Sequence, residues 1–567
     1  MASQDILAMP PFKDAMLNSF LEIVHNRNAG PPPGSNKVVF SATDLEVKMP
    51  LLLNRPGEPL ACKEPTAVFS AINAHFSAQV HAFFKALHDL EDLAGKPSSE
   101  DLELLRRDEW LEPSIRIGKQ SFHNPEDIPG DCVHRCYHTR RLTVQNLDDL
   151  PLLNRVIQLR IFHEDGGGSD SANIRPISMR TPLELATRLP HLRELECPWL
   201  CEQLPIAFTS QAMRRITRVW EGPWRDARVE FGRGVRHVMP LLPSSLTRVR
   251  LWFWGTNTHG HQDQAAQMPD LVGSSLSSPS ANEFQGMDPV SIGLRELGSR
   301  LEKLDIIALI TPDLFHSSGK SFLWPRMQHL KVEFHPCAPN GSWYFSGPRG
   351  EDPHATGFAI TREEHYPPEG PEYDDETHDL WSDDEEEYWG DEGIYEHYSP
   401  DLFRTRPIVD RIKPLLLEFA SSLQRQKMPS LQDAELFTWL TWCPSMDRVQ
   451  EYEGSDEVPP TSYVGETAMF RWGVRYDAPK GDGKGKVTWQ VGKDWRPDDE
   501  VIAAFEDLFT TKPIRPAAAG IASSDVVDDH KNSESNTDVV FERNSNSDFK
   551  EKQHLWTPPP RAPYTPR

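Results

Sequence analysis

Cysteine is scarce: seven in 567 residues exclude a disulfide framework as the main source of stability, and a reducing compartment fits. No apolar run approaches the roughly 18 to 20 residues needed to cross a bilayer. The first twenty residues carry an acid at Asp5 and no basic start, which excludes a secretory signal. These features predict a soluble cytoplasmic or nuclear protein. Positive charge is also short, with 60 Lys and Arg against 85 Asp and Glu for a net charge of -25, so neither nucleic acid nor anionic membrane is an expected partner. Motifs of common hydrolases are missing too: there is no Gly-x-Ser-x-Gly elbow and no His-Glu-x-x-His helix. The glycine-rich loop from Gly481 to Lys486 would need glycine at 480 and Ser or Thr at 487 to cradle a phosphate, but these are Lys480 and Val487, and it reads as a turn. No cofactor is expected.

Proline and glycine are plentiful, at 50 and 34 residues, and they mark long loops between ordered parts. Acidic charge is concentrated: residues 369 to 401 hold fifteen Asp and Glu and no Lys or Arg. Within that run Ser382 precedes Asp383, Asp384 and Glu385, a sequence suited to an acidophilic kinase of the casein-kinase-2 type, and Ser382 is the expected phosphorylation site. Residues 346–401, as an acidic insertion, and 516–567, as a polar tail, are expected to be disordered. Residues 255–289, rich in Ser, Gln, Gly and Asn, read as a flexible excursion.

One phrase recurs between residues 153 and 439: an apolar residue, two variable ones, a second apolar residue, any residue, and a third apolar one. It is found in Val156/Leu159/Ile161, Leu192/Leu195/Cys197, Leu246/Val249/Leu251, Leu301/Leu304/Ile306, Met327/Leu330/Val332 and Leu431/Ala434/Leu436. The last two apolar positions lie two apart and share one face of a strand, while the first turns inward from the preceding bend. That pattern predicts an α/β fold: a divergent leucine-rich-repeat-like solenoid, with irregular spacing between units. Such a fold presents a surface rather than a closed pocket.

The flanks read differently. Phe69, Ile72, Phe76, Val80, Phe83, Leu87 and Leu90 recur at steps of three and four, which predicts a helix over 66–94 with a polar opposite face. Weaker helices are expected over 11–26 and from Ser98 to Pro113, so 1–130 is a helical N-terminal region, a cap or a degenerate F-box. The solenoid covers 131–345 and 402–450. Alternation at 469–476 and 487–491 predicts a hairpin, followed by a helix after Pro497, making 451–515 a C-terminal cap.

Several longer phrases, among them LPHLRELECPWL at 189–200, MPLLPSSLTRVRLWFW at 239–254 and WPRMQHLKVEFHP at 324–336, resemble the leucine-rich-repeat-like proteins of filamentous fungi, many of which are described as F-box proteins. The resemblance spans roughly 130–510. Where an F-box is present, it implies a substrate receptor of a Skp1-cullin ubiquitin ligase, with a Skp1-like adaptor as one partner. The first 130 residues hold no Leu-Pro-x-Glu-Ile start followed by helical Leu and Ile residues, which puts that role in doubt. The expected function is therefore non-enzymatic protein–protein binding, with the ubiquitin-ligase receptor as the alternative.

Three groups of residues are candidates for that function or its rivals. Cys132, Cys136 and His138, with Cys197 and Cys201, have spacing compatible with zinc and with a metal-dependent hydrolase, although Cys197 fills an inward apolar slot where a small thiol packs well. The variable residue between the second and third apolar positions of each phrase is always charged, and the sign alternates: Arg160, Glu196, Arg250, Asp305, Lys331, Glu435. Parallel strands would stack these about 4.8 Å apart, so opposite charges would meet in a ladder that sets registry or receives a charged partner. Trp199, Trp220, Trp224, Trp252 and Trp254 fall close together; Trp252 and Trp254 share a face opposite Leu251 and Phe253, and are candidates for partner binding as well as for the core.

Overall fold

The computed structural model describes residues 43–48, 66–94, 114–121, 140–161, 177–198, 200, 202, 220–254, 263–272, 284, 286–317, 322–366, 401–452, 468–479, 485–491, 495–510 and 538–542. These residues form a mixed α/β fold around a mostly parallel sheet. Strands β1 (Thr43–Lys48), β2 (Ser114–Ser121), β3 (Gln158–Ile161), β4 (Glu194–Cys197), β5 (Arg248–Trp252), β6 (Lys303–Ala308) and β7 (His329–Phe334) lie side by side in chain order. Each is parallel to the next. A two-stranded ribbon, β8 (Phe345–Ser346) with β9 (Arg406–Pro407), stands apart. Then β10 (Asp433–Trp442) returns parallel to β7, completing a run of eight parallel strands. Strands β11 (Ala468–Asp477) and β12 (Lys486–Gln490) continue as the antiparallel hairpin expected from the alternation, and β13 (Asp538–Glu542) closes the described sheet.

The last five of the six phrases fold the same way. The first apolar residue donates its amide to the carbonyl three residues back, as in Leu192 to Leu189, Leu246 to Pro243, Leu301 to Gly298, Met327 to Trp324 and Leu431 to Met428. This bend turns it inward. The strand then starts with two consecutive amides on a single carbonyl of the preceding unit: Arg193 and Glu194 on Ile157, Thr247 and Arg248 on Arg193, Glu302 and Lys303 on Thr247, Gln328 and His329 on Glu302, and Gln432 and Asp433 on Gln328. Every apolar residue of the six phrases is buried. At roughly 1.5–3 kcal/mol for each fully buried aliphatic side chain, these positions dominate the energetics of the sheet.

Helices cover the apolar side. They are α1 (Thr66–Ala94), α2 (Thr181–Ala186), α3 (Glu221–Val238), α4 (Pro289–Gly298), the short α5 (Arg362–His365), α6 (Val409–Ser422), α7 (Met446–Glu451) and α8 (Asp499–Thr510). α1 matches the helix expected over 66–94, with Ile72, Phe76, Val80, Phe83 and Leu87 in the core. Its opposite face is not simply solvated. Asn73 exchanges two hydrogen bonds with Thr143, Ser77 accepts from the Gln145 amide, and the Glu91 carboxylate accepts from the amides of Asn154 and Arg155. Buried Asn73, Ser77 and Glu91 thus fasten α1 to the segment leading into β3.

The structure corrects four expectations about the flanks and insertions. The 1–130 region is not helical throughout, because β1 and β2 extend the sheet before the first phrase; the helices expected at 11–26 and 98–113 lie outside the described residues. Residues 263–272 of the supposed excursion are folded: Met268 and Leu271 are buried, and Gln264 binds the backbone of Phe403 and Arg404. Residues 346–366 are folded as well, held by Asp352, which bridges Arg404 and Arg411 at 2.6 Å each. Burial raises the Asp352 pKa, but the two guanidiniums outweigh it and hold the carboxyl below its ordinary range. Within the tail, 538–542 forms β13, because a free edge of β12 gives an alternating segment a ladder to join.

One buried ionic cluster ties this layer together. Arg228 on α3 is fully buried between Glu202 (2.5 Å) and Asp288 (2.7 Å), and donates also to the Leu309 carbonyl. Burial alone lowers the pKa of the guanidinium, and the two carboxylates more than reverse that. Glu202 also accepts from Trp224 Nε1, while Asp288 caps α4 by accepting from Ser291. Removing one member strands the others' charge in the interior. Arg228→Leu is therefore expected to cost about 3–5 kcal/mol, whereas Lys303→Ala on the exposed side of β6 stays within about 0.5 kcal/mol, as measured by urea unfolding.

Candidate functional site

The face of the sheet opposite the helices carries the charged positions, and the backbone register brings all six together. Arg160 pairs with Glu196, Glu196 with Arg250, Arg250 with Asp305, Asp305 with Lys331, and Lys331 with Glu435. Glu435 then faces Arg475 on β11, while at the other end Arg116 and Asp44 continue the same row on β2 and β1. Side chains follow the register over the first four. Arg160 meets Glu196 at 3.4 Å, Arg250 meets Glu196 at 2.9 Å, and Arg250 meets Asp305 at 3.3 Å. Glu435 is taken by Arg471 at 2.5 Å from the neighbouring strand.

The ladder is not uniformly exposed. Glu196 and Asp305 are 8% and 6% exposed: Glu196 is held between Arg160 and Arg250, and Asp305 between Arg250 and Trp252 Nε1. Lys331 behaves differently: it is exposed, forms no ion pair with a described residue, and lies 5.7 Å from the Phe437 ring centroid. Arg471 stacks on the same ring at 3.9 Å. This packing needs Gly473 opposite Phe437 in the register, since a Cβ there would come within 2.5 Å of the Phe437 Cβ.

The two tryptophans part company. Trp252 stays on the charged face, half-buried, with Nε1 donating to Asp305 at 3.2 Å and the Arg250 guanidinium 5.5 Å from its ring centroid. Trp254 is 1% exposed and packs edge-on against His335 at 5.1 Å. Its assignment to the binding surface is therefore corrected: beyond β5 it packs on His335, next to which Trp343 and Arg404 are also buried. Trp220 and Trp224 are buried as well, while Trp199 lies outside the described residues.

Cys197 sits in the core at 0% exposure, and Cys132, Cys136, His138, Cys201 and Ser382 lie outside the described residues. Among those described, no three His, Cys, Asp or Glu side chains gather as metal ligands, and no helix is long and apolar enough to cross a membrane. The buried thiol of Cys337 is pushed up by desolvation, leaving it protonated and unreactive at neutral pH. Sequence reading missed Arg471 and Phe437. The signal was present: alternation along 468–477 puts Arg471 two residues from Gly473 and four from Arg475.

No protein-family model, no curated protein and no solved structure matches this chain.

The ladder predicts a measurable coupling. In a double-mutant cycle of Arg250→Ala and Glu196→Ala, followed by chemical denaturation, the pair should couple by about 1 kcal/mol, and the coupling should shrink as salt is raised. Independent effects at low salt would show that the pair contributes only as packed side chains.

Proposed function

We propose that this chain is a non-enzymatic protein-interaction scaffold, whose parallel strands stack as a divergent leucine-rich-repeat-like solenoid and offer their charged face to a protein partner. One observation carries the reading. The face opposite the helices bears an in-register row of fixed charges beside half-exposed Trp252, while the apolar positions of the six recurring phrases point the other way. Ion pairs within the row pre-organise Arg160, Arg250 and Arg471, so a partner meets side chains whose rotamer entropy is already largely spent. Tryptophan and arginine are also the residues that most often dominate interface energetics.

Trp252→Ala with Arg471→Ala removes the aromatic and one fixed guanidinium without touching the core face. Affinity purification from the native organism, with Lys85→Ala at an exposed position of α1 as control, should recover the same proteins with wild type and control and lose them at least fivefold with the double variant. Circular dichroism and unfolding midpoint should stay near wild type. Equal recovery by all three proteins would rule out this face as the binding surface.

A further inference from the structure

Among the described side chains of the open face most charges are neutralised within it, but Arg248, Lys303 and Lys331 stand apart. All three are exposed, and none forms an ion pair with a described residue. Arg248 and Lys303 are direct register partners on β5 and β6, and Lys331 stands on β7, one strand further and two positions along. Their neighbours show what balance looks like: Arg250, on the same strand as Arg248, contacts two carboxylates, and His329, the register partner of Lys303, meets Asp433 at 2.6 Å. Like charges directly opposite each other on adjacent strands are destabilising. In a chain with net charge -25, carboxylates are the commoner surface charge, so a concentration of three unpaired cations runs against the composition.

Resting on the reading of this face as an interaction surface, we infer that Arg248, Lys303 and Lys331 form a docking patch for an acidic, extended peptide segment of a protein partner. Its carboxylates complete the three charges, and an aromatic or aliphatic residue beside them lies on Trp252. A peptide fits better than nucleic acid. The patch offers three cations spread over three strands, flanked by carboxylates already engaged by Arg160, Arg250 and Arg471, too few free charges for a continuous line of phosphates. A peptide instead places discrete charges on alternate residues, about 6.6–7 Å apart along one side of an extended chain. The overall negative field also disfavours a polyphosphate at long range, while the local patch attracts a short acidic segment at close range.

The test uses the full chain and three fluorescein-labelled probes: a fifteen-residue Asp/Glu-rich peptide with one tryptophan, the same peptide with lysine in place of each acid, and a single-stranded oligonucleotide. Anisotropy titrations at 50 mM salt should give at least tenfold tighter binding to the acidic peptide than to either other probe, weakening as salt rises. Lys303→Glu converts the repulsive Arg248–Lys303 neighbours into an attractive pair. It should weaken acidic-peptide binding at least fivefold while keeping or raising the unfolding midpoint, and Lys85→Glu on α1 should change neither. Equal affinity for the acidic and lysine peptides, tighter binding of the oligonucleotide, or a Lys303→Glu variant that binds like wild type overturns the inference. Failure of these titrations while Trp252→Ala with Arg471→Ala still loses its captured partners would remove the acidic-peptide inference and leave the interaction surface standing.

Discussion

The constraint on which everything else depends is the in-register parallel pairing of β3 through β7 with β10. Side chains alternate along a strand, so one register decides both faces at once. Apolar residues stack into one side and charged residues into the other. The energies are unequal: burial of each aliphatic residue contributes roughly 1.5–3 kcal/mol, against about 0–1 kcal/mol for a partly exposed ion pair. Hydrophobic burial therefore makes the sheet, and the ladder selects which register the burial uses. A slip of one residue would send Leu304 and Ile306 outward and Asp305 into the core.

Long excursions leave this frame, and buried charge returns them to it. Between β7 and β10 almost a hundred residues depart, yet β10 adds next to β7 as if nothing intervened. The described part of the excursion is anchored by Arg404, which binds the Gln264 carbonyl, the Phe345 carbonyl and Asp352. Arg228 performs the same service between α3 and the start of α4. Each guanidinium has several acceptors placed by different segments, so those bonds form together only when all of the segments are home. Such clusters add little net stability over apolar packing, and their geometry favours one arrangement over its competitors.

Much of this was legible in the amino-acid order. Six apolar triplets and their charged middle residues placed six strands and one face, because period-two alternation survives any length of intervening loop. The α1 boundaries followed from helical spacing at 66–94. What escaped had no period or had one in unexpected company. β1 and β2 alternate at Leu45 and Val47 and at Ile115 and Ile117, but only over a few residues inside a region read as helical. The 263–272 and 346–366 segments are held by single polar anchors such as Gln264 and Asp352, which look like loop residues until their partners, more than fifty positions away in sequence, are known. Trp254 illustrates the same limit: alternation fixed its side of the strand but not the segment that covers it.

The most direct measurement of the account is a cysteine-pair experiment across β7 and β10. Lys331→Cys with Glu435→Cys places two thiols on register partners of the charged face, within the roughly 4.4–6.8 Å between Cα atoms that a disulfide spans. Mild oxidation followed by peptide mass spectrometry should find the bond between positions 331 and 435 in high yield, and little between 331 and 432 in the Lys331→Cys, Gln432→Cys control. No bond between 331 and 435, or equal yields from both pairs, would contradict the register and with it the charged face.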